Sequence, residues 1–472
     1  MAISSVGAGS GILTQDVIDQ LREADEAQFV KPVELAIVNE EDRKKALATI
    51  DATMTNLIDS IDALKDPSLF SQRSSTVTGT SVEVSAVVNS DTQDFTLNVT
   101  QLATKRVEES GTFSNAAYPA DPDAKYDPTV DTIANGIGII QFNITGMDAA
   151  IDISVDGETT LDNLKKAINA QAGDYAEATI VQVSDGEYNL FISSAETGAA
   201  KEISIIDADS VLKGTQLTTG MDALVGAEGK DAKFDFNGQS IVRESNKIDD
   251  LITGLSITLK EEGSSAVSIK QDSESILEKI DNFVSHFNTA ITELGRMTKS
   301  SLETETRGIF SSDSTMTAML SSVKTMISSV SSGSMFNFGF DTDKSGKLSL
   351  DKTKFSEQLK DNNANVKAFF AGGTYTNNDN STTELDGAFT EFSIKVESYT
   401  KYDAILDQFK KNITEKTSTL KDNKAKAIER LDAKYEIMKQ RFIAFDIMMS
   451  RINSASSMFT QMATAQNTAS QS

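Results

Sequence analysis

The sequence predicts an α+β protein, multidomain and discontinuous, in which helices from both ends of the chain enclose antiparallel β-rich segments. Near each end, apolar residues recur at alternating steps of three and four, the spacing of helices that bury one narrow stripe. Between the ends, roughly two hundred residues alternate with period two, which is typical of half-buried strands. We therefore expect the β-rich part to be an insertion into the helical part.

Composition excludes several classes of function. The 472 residues include no cysteine and a single histidine, which removes disulfides, thiolate catalysis and the usual zinc sites. The net charge of −26 is unfavourable for binding nucleic acid. No window reaches the ~20 continuous apolar residues of a membrane span. The first residues lack the features of a cleavable secretory signal, so cytosolic residence and export without a cleaved signal both remain open.

Charge is unevenly distributed along the chain. Residues 71–272 carry 32 acidic and 14 basic side chains, whereas residues 410–441 carry 10 basic and 5 acidic ones. The basic stretch is either a solvated helix with lysines on its outer positions or a helix that faces acidic partner helices.

The N-terminal part predicts two helices. Residues 1–13 are rich in Gly and Ser, and we expect them to be disordered in the free protein. A short helix is expected after Thr14, with Val17 and Leu21 on one face. Pro32 suits the first turn of a long helix that stops before Asp66-Pro67. The predicted stripe of this helix is Leu47, Ile50, Met54, Leu57, Ile61 and Leu64.

The middle of the chain predicts strands and one helix. Asp185-Gly186 and Asn237-Gly238 each lie between alternating segments and predict hairpins. Residues 111–138 are expected to form a long loop. The predicted strands are 82–88, 95–99, 139–144, 151–155, 178–183, 188–193, 202–206, 234–236, 240–243, 255–259 and 266–269, with a helix at 161–170.

Helical periodicity returns at Ser275, which with Glu278 fits a capping box. A methionine stripe after Asp313 (Met316, Met319, Met326) favours bundle core over an adaptable binding surface. Further elements are expected at 336–340 and 347–350 (strands), 354–370 (helix) and 372–383 (flexible loop), followed by helix from 391 with a disturbance at 413–428. The second stripe is Leu431, Tyr435, Met438, Phe442, Phe445, Met449, Ile452 and, further on, Phe459.

No motif predicts catalysis. Asp341 to Gly346 copies half of a calcium loop, but its twelfth position is Lys352, so a turn is favoured. Gly7 to Gly11 has neither the preceding strand nor the lysine of a nucleotide loop. His286 stands beside Phe283 within a predicted helix, without a nucleophile elbow elsewhere. Carboxylates are abundant, and no pair stands out as a glycosidase site.

Several segments, in this order, resemble the bacterial flagellar filament cap family, FliD or hook-associated protein 2. The opening Gly9-Ser10-Gly11-Ile12 is similar to that family's first segment, and residues 95–103 look like its first β segment. The unit at 140–206, centred on Thr160 to Asn169, resembles the flagellin IN motif. Residues 236–259, continuing to 288, carry the most specific similarity, and the tail from Tyr435 to Phe459 also fits.

The resemblance implies a structural role without a cofactor or enzyme activity. It implies a ring-like homo-oligomer at the distal tip of the extracellular filament that retains exported flagellin and promotes its insertion. The implied partners are the chain itself, flagellin, the filament or hook-junction proteins, and an export chaperone at the C-terminal helix, with no nucleic acid and no membrane insertion. The two apolar stripes, with Val17 and Leu21, are the expected contact residues.

The expected domains are terminal helical legs (1–40 and 430–472, partly disordered when free), a helical bundle (41–70 and 274–429), one β-rich head domain (71–105 and 225–273) and a second (106–224). Flagellin or a hook–filament junction protein remains the alternative, because those proteins share helical termini and the IN module. An exported acidic hydrolase or an adhesin is a more distant one.

Overall fold

In a computed structural model of the chain, residues 15–115, 125–219, 222–330 and 335–469 are described. The expected disorder at 1–13, the cap at Thr14 and part of the 111–138 loop lie outside these residues. The chain forms two compact units: a helical unit, which runs up to Leu69 and resumes at Ser273, and a β-rich unit from Phe70 to Asp272. This discontinuous α+β arrangement confirms the predicted fold class.

The helical unit begins with α1 (Gln15–Phe29) and α2 (Lys31–Lys65). Pro32 lies in the first turn of α2, where a missing N–H costs no hydrogen bond. Asp66 ends α2 in an extended conformation (ψ 113°), because the proline that follows disfavours the helical region. Both predicted limits of this helix are confirmed.

The β-rich unit contains fifteen named strands and one helix within the described residues. In chain order they are β1 (Arg73–Thr78), β2 (Val82–Ala86), β3 (Gln93–Gln101), β4 (Thr104–Glu109), β5 (Gly138–Ile144), β6 (Ile151–Val155), α3 (Leu161–Gln171), β7 (Ala176–Ser184), β8 (Glu187–Thr197), β9 (Ile203–Asp207), β10 (Asp222–Lys230), β11 (Ala232–Phe236), β12 (Gln239–Arg243), β13 (Lys247–Ile248), β14 (Leu255–Leu259) and β15 (Gly263–Gln271).

Two hydrophobic cores occupy this unit. The first lies between a five-stranded sheet, β1-β15-β3-β11-β12, and a three-stranded sheet, β13-β14-β2. The second is formed by β10-β4-β8-β7, by β6-β5-β9 and by α3. Both predicted hairpins are present: β7 turns into β8 at Gly186 (φ 76°), and β11 into β12 at Asn237 (φ 50°) and Gly238 (φ 86°), the left-handed pair of a type I′ turn.

The chain then returns to helices. In order, the elements are α4 (Ser273–Thr298), α5 (Ser314–Met326), β16 (Phe340–Thr342), β17 (Leu348–Leu350), α6 (Lys352–Asp361), α7 (Asn363–Ala371), β18 (Gly373–Thr376), β19 (Thr382–Leu385), α8 (Ala388–Thr400) and α9 (Ile405–Ala469).

Several expectations for this part were wrong. Helix α4 begins at Ser273, so Ser275 lies within its first turn and does not cap it. The helix expected at 354–370 is two helices, since Asn362 leaves the helical region (φ −137°, ψ 41°). The loop at 372–383 is the hairpin β18–β19. The strand expected at 336–340 is a 3-10 helix over Met335–Phe338, and β16 begins only at Phe340. Helix α9 is continuous through 413–428, so the disturbance there is not an interhelix joint; the break lies before α9, where Asp403 has a φ of 61°.

The core of the helical unit is aromatic. Phe283 of α4 lies 4.9 Å, ring centroid to centroid, from Phe389 of α8, which lies 5.0 Å from Phe370 of α7. The predicted stripe of α2 packs into the same unit, where α2 contacts α4, α8 and α9. Large buried apolar groups of this kind supply most of a domain's stability.

Candidate assembly site

Helices α1 and α2 run antiparallel to α9, and ion pairs set their register. Lys416 pairs with Glu40, Lys424 with Glu34 and Asp432 with Arg22, so the partner's number falls over these three pairs as the number along α9 rises. Three lysines of α9 face glutamates of α2: Lys416 with Glu40 at 2.6 Å, Lys421 with Glu41 at 3.2 Å and Lys424 with Glu34 at 2.7 Å. We call these pairs the lysine ladder. Within the basic stretch 410–441, these lysines therefore face acidic helices of the same chain.

Helix α1 is held on α9 by a small core and a polar cluster. Ile18 and Val30 are buried against Leu431 and Tyr435. The polar cluster, here called the α1 clasp, consists of Arg22, Asp25, Asp432, Lys434 and Tyr435. In the clasp the Arg22 guanidinium lies 2.5 Å from Asp432, the Lys434 ammonium lies 2.5 Å from Asp25, and the Tyr435 hydroxyl donates to Asp25 at 2.7 Å.

The clasp shifts the ionisation of two of its members. Hydrogen bonds from Lys434 and Tyr435 stabilise the charged form of Asp25 and lower the pKa of that carboxyl. Burial, followed by the hydrogen bond to Asp25, raises the pKa of Tyr435 to about 12. At neutral pH the contact therefore joins a carboxylate to a neutral phenol and an ammonium.

The C-terminal half of α9 presents a second apolar face that the described residues leave exposed. Its side chains are 42% to 72% exposed, and at 100° per residue they share one side of the helix. This open face consists of Ile437, Phe445, Ile447, Met448, Ile452, Met458, Phe459 and Met462. It lies roughly 130° around the helix from the residues that α1 covers. A solvated apolar face of this extent marks an interaction surface.

The structure separates the sequence-predicted contact residues into three groups. The stripe of α2 is at most 3% exposed and faces this chain's own bundle, so a partner cannot reach it while the bundle is folded. Members of this group are Leu47, Ile50, Met54, Leu57, Ile61 and Leu64.

The second group lies toward α1, and the third lies on exposed surface. Facing α1 are the buried Leu431 and Tyr435 and the half-buried Met438 and Phe442. Val17 and Met449 are half-buried elsewhere. Exposed are Leu21 on α1 and, on the open face of α9, Phe445, Ile452 and Phe459.

The sequence argument missed five members of the open face: Ile437, Ile447, Met448, Met458 and Met462. It followed a heptad spacing of 3.5 residues, which joins residues of two different faces into one stripe. A straight helix has 3.6 residues per turn, so the same positions drift around its axis. Plotting residues 430–465 at 100° each would have separated the two faces.

The remaining sequence candidates have structural roles. The carboxylate of Asp343 accepts hydrogen bonds from the backbone N–H of Ser345 and Lys347, which confirms a turn. Met316, Met319 and Met326 are buried, as the core interpretation predicted. His286 is half-buried on α4.

Within residues 15–115, 125–219, 222–330 and 335–469, no group of three or more His, Cys, Asp or Glu side chains is placed to hold a metal ion. Among the same residues, no helix combines the length and apolarity needed to cross a membrane.

Comparison with known sequences identifies the family. The N-terminal model of flagellar hook-associated protein 2 (FliD) matches residues 10–106, and its C-terminal model matches residues 229–454. The chain belongs to the flagellar hook-associated protein 2 family. The resemblance seen in the sequence is thereby confirmed, and the family is one of structural flagellar proteins, not of enzymes. Residues 107–228, which hold most of the second β-rich core, lie outside both hook-associated protein 2 models.

Relatives and solved structures agree with this assignment. Hook-associated protein 2 of Campylobacter jejuni is 27% identical over 85% of this chain and 68% of its own length. The Escherichia coli K12 protein of the same name is 26% identical over 98% of each chain. The crystal structure of the D1-D2-D3 domains of the flagellar cap protein FliD from E. coli covers 78% of this chain and 99% of that one, with a TM-score of 0.57 at 23% identity. That likeness shows that the two proteins share a fold.

Proposed function

We propose that this chain caps the distal tip of the bacterial flagellar filament as a ring-like homo-oligomer, retaining exported flagellin and promoting its insertion and polymerisation. The observation that carries the proposal is the open face of α9, an exposed apolar stripe at the end of a 65-residue helix in a member of this family. An enzyme has no need of such a face, whereas a protein that assembles with other helices does.

In this proposal the helical and β-rich parts have different roles. The terminal legs, including α1 and the end of α9, engage the filament, and the β-rich unit supplies the head domains of the cap. Its two separate cores support the expected division into two head domains, 71–105 with 225–273 and 106–224. Ser450, Ser454 and Ser456 lie among the apolar residues of α9, which favours contacts that form and release repeatedly.

The open face also favours the binding of a second protein inside the cell, before export. A helix with this much exposed apolar surface is prone to self-association inside the cell. We propose that an export chaperone covers the C-terminal helix until secretion, and that the chain then acts outside the cell, at the filament tip.

The test compares two aspartate substitutions on opposite sides of α9. Phe459→Asp places a charge on the open face, whereas Ser457→Asp places the same charge on the far side, where residue 457 is exposed. Light scattering over a concentration series measures the mass of each protein. We expect a closed oligomer of a few subunits for the parent chain, and about tenfold weaker assembly for Phe459→Asp only, because an exposed aromatic anchor is lost.

The same variants can be followed in cells that depend on this protein for their filaments. Phe459→Asp should raise the flagellin released into the medium, and Ser457→Asp should not. Open-ended growth of the purified parent chain would favour the flagellin alternative. A strict monomer at every concentration, or equal effects of the two substitutions, would overturn the proposal.

A further inference from the structure

A buried charge interrupts the apolar stripe of α2. From Leu47 to Leu64 the stripe residues are at most 3% exposed. Two turns before Leu47 the equivalent position is Glu40, which is only 5% exposed, and Ile37 continues the stripe beyond it. A carboxylate at such a position is rare because it loses its hydration and must be compensated by partners.

The compensation around Glu40 is incomplete. Oε1 of Glu40 lies 2.6 Å from Nζ of Lys416 and 3.5 Å from Nη1 of Arg43, while Oε2 has no hydrogen-bond partner among the described residues. Arg43 lies 3.7 Å from Asp313 and its Nε likewise has no partner among them. Incompletely paired buried charges destabilise the packing around them. We therefore expect the α2–α9 contact to be less stable at this point than a continuous apolar stripe would make it.

Packing differs on the two sides of Glu40. On its C-terminal side, α2 reaches α8, where the Ser393 hydroxyl donates to Asp62 and Lys65 donates to Ser393. On its N-terminal side, α2 and α1 contact α9 through the Glu34–Lys424 pair and through a small core of Ile18, Val30, Leu431 and Tyr435, with four half-buried apolar side chains of α9 around it. The ion pairs of the clasp and of the ladder beyond Glu40 are partly solvated, and pairs of that kind add little.

We propose that Glu40 is a built-in hinge and that residues 15–39 form a strap, which detaches from α9 and returns while the bundle stays folded. Detachment uncovers Leu431 and Tyr435 on a helix that already carries the open face. The open strap thus gives α9 a second apolar surface for a partner helix. The device is a property of the single chain and does not depend on the proposed capping role.

Amide hydrogen exchange of the full chain, at a concentration where it is monomeric, tests the hinge. In the parent protein the strap should exchange at least about tenfold faster than residues 47–64, because local opening is cheaper than opening of the bundle. Glu40→Leu should slow exchange of the strap at least about fivefold by completing the apolar stripe. Asp42→Leu also replaces a carboxylate by leucine, at an exposed neighbour whose ion pair, with Lys45, lies within α2, and it should leave the strap unaltered.

A third variant keeps the proposal testable if the Glu40→Leu protein does not fold. Ile18→Asp removes the strap's main anchor, and it should accelerate exchange of the strap alone. Equal exchange of the strap and of residues 47–64 in the parent chain would overturn the proposal. So would faster exchange of residues 47–64 in Ile18→Asp, or the same response to leucine at positions 40 and 42.

Discussion

Asp25 shows how one side chain connects the two ends of the chain. Its carboxylate takes hydrogen bonds from Lys434 and Tyr435, which follow it by some four hundred positions in sequence. Its lowered pKa means that the folded contact stabilises the charged form. The raised pKa of Tyr435 means that the same contact favours the neutral phenol. The clasp is therefore strongest at intermediate pH.

We predict that α1 separates from α9 at both extremes of pH. The contribution of Asp25 is present above its unfolded pKa of 3.8 and is lost as pH falls below that value. The contribution of Tyr435 is present below its unfolded pKa of 10.0 and is lost as pH rises toward about 12. Because the chain has no cysteine, spin labels at Gln20→Cys and Gln440→Cys can report the distance between the helices.

Two substitutions serve as controls for the pH prediction. Asp25→Asn should remove the acid transition, and Tyr435→Phe should remove the alkaline one. An inter-label distance that is constant from pH 3 to pH 12 would contradict the assigned role of the clasp.

Single residues explain which local predictions were correct. Asn237 and Gly238 adopt the left-handed conformations that few other residues tolerate, so their hairpin could be predicted from these two residues. By contrast, the sequence alone could not predict which of Leu57 and Phe459 faces a partner, because both are large apolar residues at helical spacing. Burial separates them, at 0% and 72% exposure, and burial depends on tertiary packing.

At the scale of elements, α9 shows why a change in periodicity was misread. Between Ile413 and Ile428 the apolar spacing slips, which suggested either a stutter or an interhelix joint. The helix is continuous there, and Lys416, Lys421 and Lys424 occupy the positions that face α2. Their aliphatic stems and charges replace an apolar stripe. A sequence argument based on hydrophobicity alone cannot distinguish this substitution from a break.

The ladder predicts a charge-exchange effect. Lys421→Glu and Glu41→Lys should each destabilise the helical unit by ~0.2–1 kcal/mol, since each places like charges opposite one another. The double variant should recover most of the loss. Urea unfolding at low salt is the suitable measurement because urea does not screen charges. If the two losses simply add in the double variant, the pair does not interact in solution.

The whole molecule is two folding units, of which one interrupts the other in sequence. This topology was predictable because the helical and strand periodicities occupy separate parts of the chain. The additional strands β1, β4, β10 and β13 were not predicted, since their residues alternate weakly or, in β13, number only two. The strand β1, for example, runs Arg-Ser-Ser-Thr-Val-Thr. Its pairing partner, β15, lies almost two hundred residues away, and no local pattern specifies such a pairing.

We predict that residues 70–272 fold when expressed alone. Their two cores are made from side chains of this segment. A cooperative thermal transition and a dispersed amide NMR spectrum would confirm independent folding. An unfolded segment, while the full chain is folded, would show that the β-rich unit depends on the helices.

The first and last strands of the β-rich unit are hydrogen-bonded neighbours, with Arg73 opposite Gln271 and the N–H of Asp272 bonded to the carbonyl of Gln72 at 3.1 Å. The ends of the insertion therefore meet at one place, whatever the length of chain between them. The entropy of closing such a loop grows only with the logarithm of its length. Segments between these paired strands can therefore be lengthened, shortened or exchanged at little cost in loop-closure entropy, and the helices need not change with them.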